Sequence, residues 1–113
     1  MQQKSIKEIK PINKDEVEYI IERIDNVDLR ELATNLKKRY KNLVAFLAGV
    51  NNSKVTLVAV SNVDKIKAGD LIKNYASIVG GKGGGKSDFA QGGGKDIEKI
   101  DEMIQKVKED LLK

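Results

Sequence analysis

The sequence predicts an α/β domain of the α+β kind: a small mixed β-sheet with a parallel β-α-β unit and an antiparallel hairpin, about three covering helices and an exposed glycine-rich loop. Two nearly continuous apolar runs of strand length, residues 43–50 and 55–60, supply the centre of the sheet. Three segments with apolar residues at three- and four-residue spacing supply the helices. The loop is residues 80–94, where eight of fifteen positions are glycine.

Residues 1–15 are lysine-rich, contain the single proline, Pro11, and show no apolar periodicity. They read as a lead-in or linker from an upstream region, leaving 16–113 as one globular domain. Val17, Tyr19 and Ile21 alternate with Glu18, Ile20 and Glu22, which gives a strand with one apolar and one mixed face, near an edge of the sheet. Asp28 is a helix cap: Leu29, Leu32, Ala33, Leu36 and Tyr40 follow it at helical spacing, with Glu31 in the first turn and Lys37, Lys38, Arg39 and Lys41 in the last. That order of charge suits the helix dipole, so helix termination is the simpler account of Lys37-Lys38-Arg39 and contact with a polyanion the alternative.

The runs 43–50 and 55–60 are rich in valine and covered on both faces, and Asn51-Asn52-Ser53 between them is turn chemistry, so they pair as an antiparallel hairpin. Asp64 is placed to cap a helix whose stripe is Leu71, Ile72, Tyr75, Ala76 and Val79 and which Gly80 and Gly81 end. On that stripe Tyr75 packs inward rather than stacking a base. Ile97, Ile100, Ile104, Val107 and Leu111 form a last helix beginning at Asp96, and its short seam packs on the sheet in preference to a coiled coil.

A chain of 113 residues, 40% hydrophobic and 34% charged, builds one soluble domain with a modest core. No apolar run reaches the roughly eighteen residues that cross a bilayer, and Met-Gln-Gln-Lys-Ser lacks the apolar centre of a signal peptide, so a cytoplasmic location is expected. The absence of cysteine and histidine removes disulfides, structural zinc, thiol nucleophiles and the commonest base near neutral pH. Asp and Glu are dispersed through amphipathic segments with no D-x-D or D-H-H cluster, so no catalytic residue, metal site or cofactor is expected. The net charge of +4 is only mildly basic, but the excess is local. Between Lys65 and Lys95, the cations Lys65, Lys67, Lys73, Lys82, Lys86 and Lys95 are opposed only by Asp70 and Asp88, a clustering that points to a polyanion.

Gly80-Gly81-Lys82-Gly83-Gly84-Gly85-Lys86-Ser87-Asp88-Phe89-Ala90-Gln91-Gly92-Gly93-Gly94 carries the most specific chemistry. Glycine lets a backbone lie against a ligand with no Cβ in the way, N–H groups of such a loop converge on an anion, and lysines add full charge. A flexible tether has no use for Phe89, which marks a shaped surface instead. Gly80, Gly85, Lys86 and Ser87 satisfy the pattern G-x-x-x-x-G-K-[ST] of a nucleotide-binding P-loop. That motif needs a strand before it and a helix opening at the Lys-Ser pair, whereas here a helix precedes and three more glycines follow.

The run Gly-Gly-Lys-Gly-Gly-Gly-Lys, then Asp-Phe-Ala-Gln-Gly-Gly-Gly, resembles the glycine-rich signature near the C-terminus of alanyl-tRNA synthetases, and a looser form closes the DHH-associated domain of certain nucleases and phosphoesterases. Ile66-Lys67-Ala68-Gly69 and the helix from Leu29-Arg30 to Leu36 match too, so the similarity extends over residues 17–112; Ser87 stands where many relatives carry proline. The resemblance implies a domain without catalytic residues or cofactor that recognises alanine-accepting tRNA by shape, at the outer corner where the D and T loops meet. It would help present the acceptor end to aminoacylation and editing domains upstream in the same chain. Lys82 and Lys86 would then contact phosphates, and Gly83, Gly84 and Gly85 would permit close backbone approach. Gln91 and Lys95 complete the RNA-binding candidates, with Lys65 and Lys67 as secondary basic ones. The nuclease-associated form would instead hold a single strand for an upstream DHH domain; the Ala90-Gln91 version of the signature favours the synthetase. A dimerisation module, forming a homodimer through the last helix, is the remaining alternative.

Overall fold

A computed structural model describes residues 11–112; the first ten residues of the expected lead-in lie outside the described residues. The strands are β1 (Ile12–Lys14), β2 (Val17–Arg23), β3 (Leu43–Asn51), β4 (Lys54–Ser61), β5 (Lys82–Gly85) and β6 (Phe89–Gly94). The helices are α1 (Leu29–Arg39), α2 (Ala68–Tyr75) and α3 (Ile100–Leu111), with 3₁₀ turns at Ala76–Val79 and Ile97–Lys99. All strands join one six-stranded sheet in the order β1-β2-β3-β4-β6-β5.

The parallel unit predicted from the sequence is β2-α1-β3, with Glu18 beside Leu43 and Ile21 beside Phe46. The valine-rich hairpin is β3-β4, closed at Asn51 and Lys54. Asn52 and Ser53 in its turn have φ of 54° and 63°, the left-handed pair whose twist matches that of the flanking strands. Asp15 and Glu16 (φ 52° and 67°) close β1 on β2 in the same way, so part of the segment between residues 1 and 15 adds an edge strand.

Asp28 caps α1 as expected, its Oδ1 accepting the Glu31 N–H at 3.1 Å. At the other end the Asn62 side-chain amide donates to the Lys37 and Tyr40 carbonyls, satisfying acceptors that a helix C-terminus leaves open. The apolar stripe of α1, Leu29, Leu32, Ala33 and Leu36, packs over Ala45, Leu47, Val58 and Val60 on one face of the sheet. On the opposite face Ile72, Tyr75, Val79, Ile100, Met103 and Val107 pack over Tyr19, Phe46 and Leu57. Tyr75 is buried as expected, edge-on to Phe46 with centroids 5.8 Å apart. Because Ile100, Ile104 and Val107 are committed to this core, the seam of α3 lies on the sheet.

Some local expectations are corrected. Asp64 does not cap α2: Lys67 occupies the cap position and no side chain serves it. The Ala68 and Gly69 N–H groups donate instead to the Ser87 and Lys86 carbonyls at 2.8 and 3.0 Å, so the turn of the glycine-rich segment caps the helix. The helix tightens to a 3₁₀ turn at Ala76 before Gly80, at φ 67°, ends it. The glycine-rich stretch is not a loop projecting between the last helices: it forms the β5-β6 hairpin, with β6 paired to β4 from Val55 and Gly94 to Val60 and Phe89. Glycine has low strand propensity and no side chain to alternate, so periodicity could not reveal these strands.

Candidate nucleic-acid interface

The β5-β6 hairpin has two unlike faces, fixed by its register. Ala90 lies opposite Gly85 and Gly92 opposite Gly83, and these positions turn toward α2. A Cβ on Gly83 would sit 2.8 Å from Ile72 Cγ2, and one on Gly92 2.9 Å from the same atom. On the helix side, a Cβ on Gly69 would meet the Gly85 carbonyl oxygen at 2.7 Å. A Cβ on Gly83 would also stand 2.4 Å from Gly92 Cα and 2.5 Å from the Gln91 carbonyl oxygen, so these glycines are required by the close packing of the two strands and of α2 on them, independent of any ligand.

Lys82, Phe89, Gln91 and Gly93 alternate with these positions and turn the other way. Phe89 and Gln91 lie opposite Val60 and Val58, both part of the core under α1. Since α1 sits over β3 and β4, this face is open beyond Phe89, and Lys82, Lys86 and Gln91 are exposed. Gly84 is different from its neighbours. A Cβ there would find only the Lys73 stem, with Cε at 3.5 Å and Cγ at 3.9 Å, both ordinary contacts. The fold does not need this position bare: Gly84 is half-buried beside the Lys73 stem of α2, while Gly83 and Gly85 are exposed.

Lys82 and Gln91 share one face of the hairpin, Gly84, Gly85, Lys86 and Gln91 line one cleft, and Gly83 packs against Ile72. Lys95 follows β6 at the base of the hairpin, its Cε 3.4 Å from where a Cβ on Gly80 would stand. Lys67 is at the opposite end, where it lines with Lys37, Ser61, Asn62, Ser87 and Asp88 a cleft of about 510 Å³. Lys65 is exposed in the β4-α2 connection, outside that cleft's lining. Lys82, Lys86 and Lys95 make no ion pair among the described residues.

Two cations of this surface were not singled out by sequence reasoning. Lys73 counted only toward the local excess of charge, since nothing in a glycine run announces a strand for its stem to lie against. Lys37 was accounted for by helix termination, yet its Nζ lies 2.7 Å from Asp88 Oδ2 in the hairpin turn. That bond, followed by the wider pull of Lys37 and of Lys86, holds the Asp88 carboxyl below its ordinary range. Among the described residues no three His, Cys, Asp or Glu side chains are grouped to hold a metal, and no helix is long and apolar enough to cross a membrane.

A mixed sheet with one helix on one face, two on the other and a glycine hairpin at its edge defines a class, and residues 16–113 match the DHHA1 domain: the chain belongs to the DHHA1 domain family. Within that family the likeness is to the C-Ala domain of alanyl-tRNA synthetase. The crystal structure of the C-Ala domain from Aquifex aeolicus alanyl-tRNA synthetase superposes with a TM-score of 0.78 at 32% identity, covering 89% of this chain and 96% of that one. Alanine–tRNA ligases from Campylobacter jejuni subsp. doylei and from a Sulfurovum species are each 40% identical, over 97 and 104 residues, or 86% and 92% of this chain. The Wolinella succinogenes ligase is 44% identical over 94 residues, or 82% of this chain. The chain spans 12% of the length of the first two relatives and 11% of the third.

Proposed function

We propose that the chain is the non-catalytic, tRNA-binding C-terminal domain of a cytoplasmic alanyl-tRNA synthetase. On this reading the open face of β5-β6 grips the outer corner of alanine-accepting tRNA by shape and phosphate contacts. It thereby helps present the acceptor end to aminoacylation and editing domains elsewhere in the same polypeptide. The observation that carries the reading is Gly84, a backbone position left bare without internal need, beside the Lys73 stem and between the exposed Lys82 and Lys86 in the chain. A phosphodiester can approach a strand there more closely than it could any residue with a side chain, and contacts of this kind position an RNA without reading its sequence. Gln91 adds an amide to the same face, while Lys95 and Lys67 extend the positive surface to the base and the turn of the hairpin. Ligation and editing chemistry is assigned to other domains, in keeping with a chain that has no histidine or cysteine.

The test is a salt titration of binding to folded alanine-accepting tRNA and to an unstructured strand of equal length. Tighter binding of the folded tRNA at each salt concentration, with log Kobs falling linearly against log salt, is the expected result. Equal or tighter binding of the single strand would favour the nuclease-associated mode, and no binding of either would remove nucleic acid as the partner.

A further inference from the structure

We propose that the groove between α1 and the glycine hairpin receives one unstacked RNA base, with Phe89 as its stacking surface. The inference deepens the function proposed above and rests on it: phosphates lie on the lysine face of the hairpin, and one base of the same RNA turns into the groove beside it.

Phe89 is half-buried, packed on one side against the core that contains Val58 and Val60. Its remaining surface lines two adjoining clefts. One, of about 330 Å³, is formed with Asp28, Arg30, Glu31, Thr34 and Asn35 of α1 and its cap. The other, of about 390 Å³, is formed with residues of the hairpin that include Gly84, Lys86 and Gln91. A ring held by the core on one side and open on the other is what stacking requires, because neither partner then loses much freedom when a base arrives. Gly84 keeps the approach over the hairpin clear.

The charge around the groove is divided in the same sense. Beside α1, Asp28 and Glu31 are set against Arg30, an environment that suits a neutral planar group and disfavours an acidic one. Across the hairpin, Lys86, which lines the second cleft together with Asp88, and the exposed Lys82 suit phosphates. Asn35 and Gln91 are exposed, and neither side chain makes a hydrogen bond among the described residues. Each amide offers both donor and acceptor groups, the complement of a base edge.

The experiment places 2-aminopurine singly at unpaired loop positions of the folded tRNA and titrates in the 113-residue chain. Quenching at a restricted set of positions is expected. Phe89→Leu, which retains an apolar contact with the core, should abolish it and weaken binding roughly tenfold, while Phe89→Tyr should preserve both. Quenching that survives in Phe89→Leu, or no quenching at any position with tRNA still bound, would overturn the base site and leave the phosphate reading standing. A wild-type chain that does not bind tRNA would overturn both. As a readout that needs no variant, 4-thiouridine at the quenched position should crosslink on irradiation to the peptide containing Phe89; crosslinks confined to other peptides would overturn the proposal.

Discussion

The Lys37 ammonium in the last turn of α1 lies 2.7 Å from the Asp88 carboxylate in the turn of the β5-β6 hairpin, joining segments 51 positions apart. The pair occupies the charge of Lys37 and, with Asp64, sets a carboxylate into a cleft that also holds Lys67, with Lys86 close enough to act on Asp88. Both partners are substantially exposed, with side-chain accessibilities of 30% and 53%, so the contact contributes little to stability. Asp88→Asn should therefore leave the melting temperature nearly unchanged. It should raise tRNA affinity several-fold at low salt and steepen the log Kobs against log salt slope by up to about one, as Lys37 is released to a phosphate. Unchanged affinity would place the RNA away from the hairpin turn.

The complementary change removes cations. Lys82→Ala with Lys86→Ala should weaken tRNA binding and reduce the magnitude of the salt slope by up to about two, if each lysine neutralises one phosphate. Lys95→Ala, at the base of the hairpin, should have a smaller effect than either. A slope that does not change in the double variant refutes the phosphate role of both residues.

The glycines divide by face. Gly84→Val meets only the flexible Lys73 stem and adds a good strand former, so stability should stay within about 0.5 kcal/mol of wild type. Its tRNA affinity should nonetheless fall. Gly92→Ala places a methyl 2.9 Å from both Ile72 Cγ2 and the Lys82 carbonyl oxygen and should cost about 1–3 kcal/mol by overpacking. Thermal melts beside binding titrations separate the two; equal losses of stability and affinity in Gly84→Val would make that glycine structural as well.

This division explains what could and could not be seen in the sequence. The strand-helix-strand unit, the valine-rich hairpin and the Asp28 cap were legible because Val17, Leu32, Val58 and their neighbours carry period and polarity that report which side faces the core. The hairpin of β5-β6 was not, because the residues that would have shown a period of two are glycines. The lysines within it were legible as a cluster of charge, but the face that Lys82 shares with Gln91 follows from pairing with β6. Lys37 was hidden for another reason. A lysine ending a helix satisfies a local rule, and only tertiary structure shows it reaching a second partner.

Ser87 tests how far the hairpin turn is pre-shaped. It has no positive φ, and its N–H makes no backbone hydrogen bond outside the regular ladders, so proline there would forfeit no backbone bond. Ser87→Pro should stabilise the domain by about 0.4–1 kcal/mol by restricting the unfolded chain. It should preserve the capping of α2 through the residue 87 carbonyl. Denaturant midpoints measure the gain, and a loss of stability would mean that the turn requires the freedom of Ser87.

Tyr75 gives the chain a pH-dependent contact. Its hydroxyl donates to Asp110 Oδ2 at 2.6 Å. Burial, and then that bond and the neighbouring charge, push the phenol above its ordinary value of 10.0. The native state therefore keeps a proton that the unfolded chain releases, so the contribution is complete below pH 10.0 and declines as pH rises beyond it. Tyr75→Phe keeps the edge contact with Phe46 and should cost about 1–3 kcal/mol at neutral pH, because Asp110 loses a donor in a partly buried setting. Above pH 10.0 the wild-type urea midpoint should fall more steeply than that of the variant, so that the two curves converge. Tyr19, also raised, is common to both and cancels in the difference. Parallel curves between neutral and alkaline pH would show that the Tyr75 proton is not what couples α2 to α3.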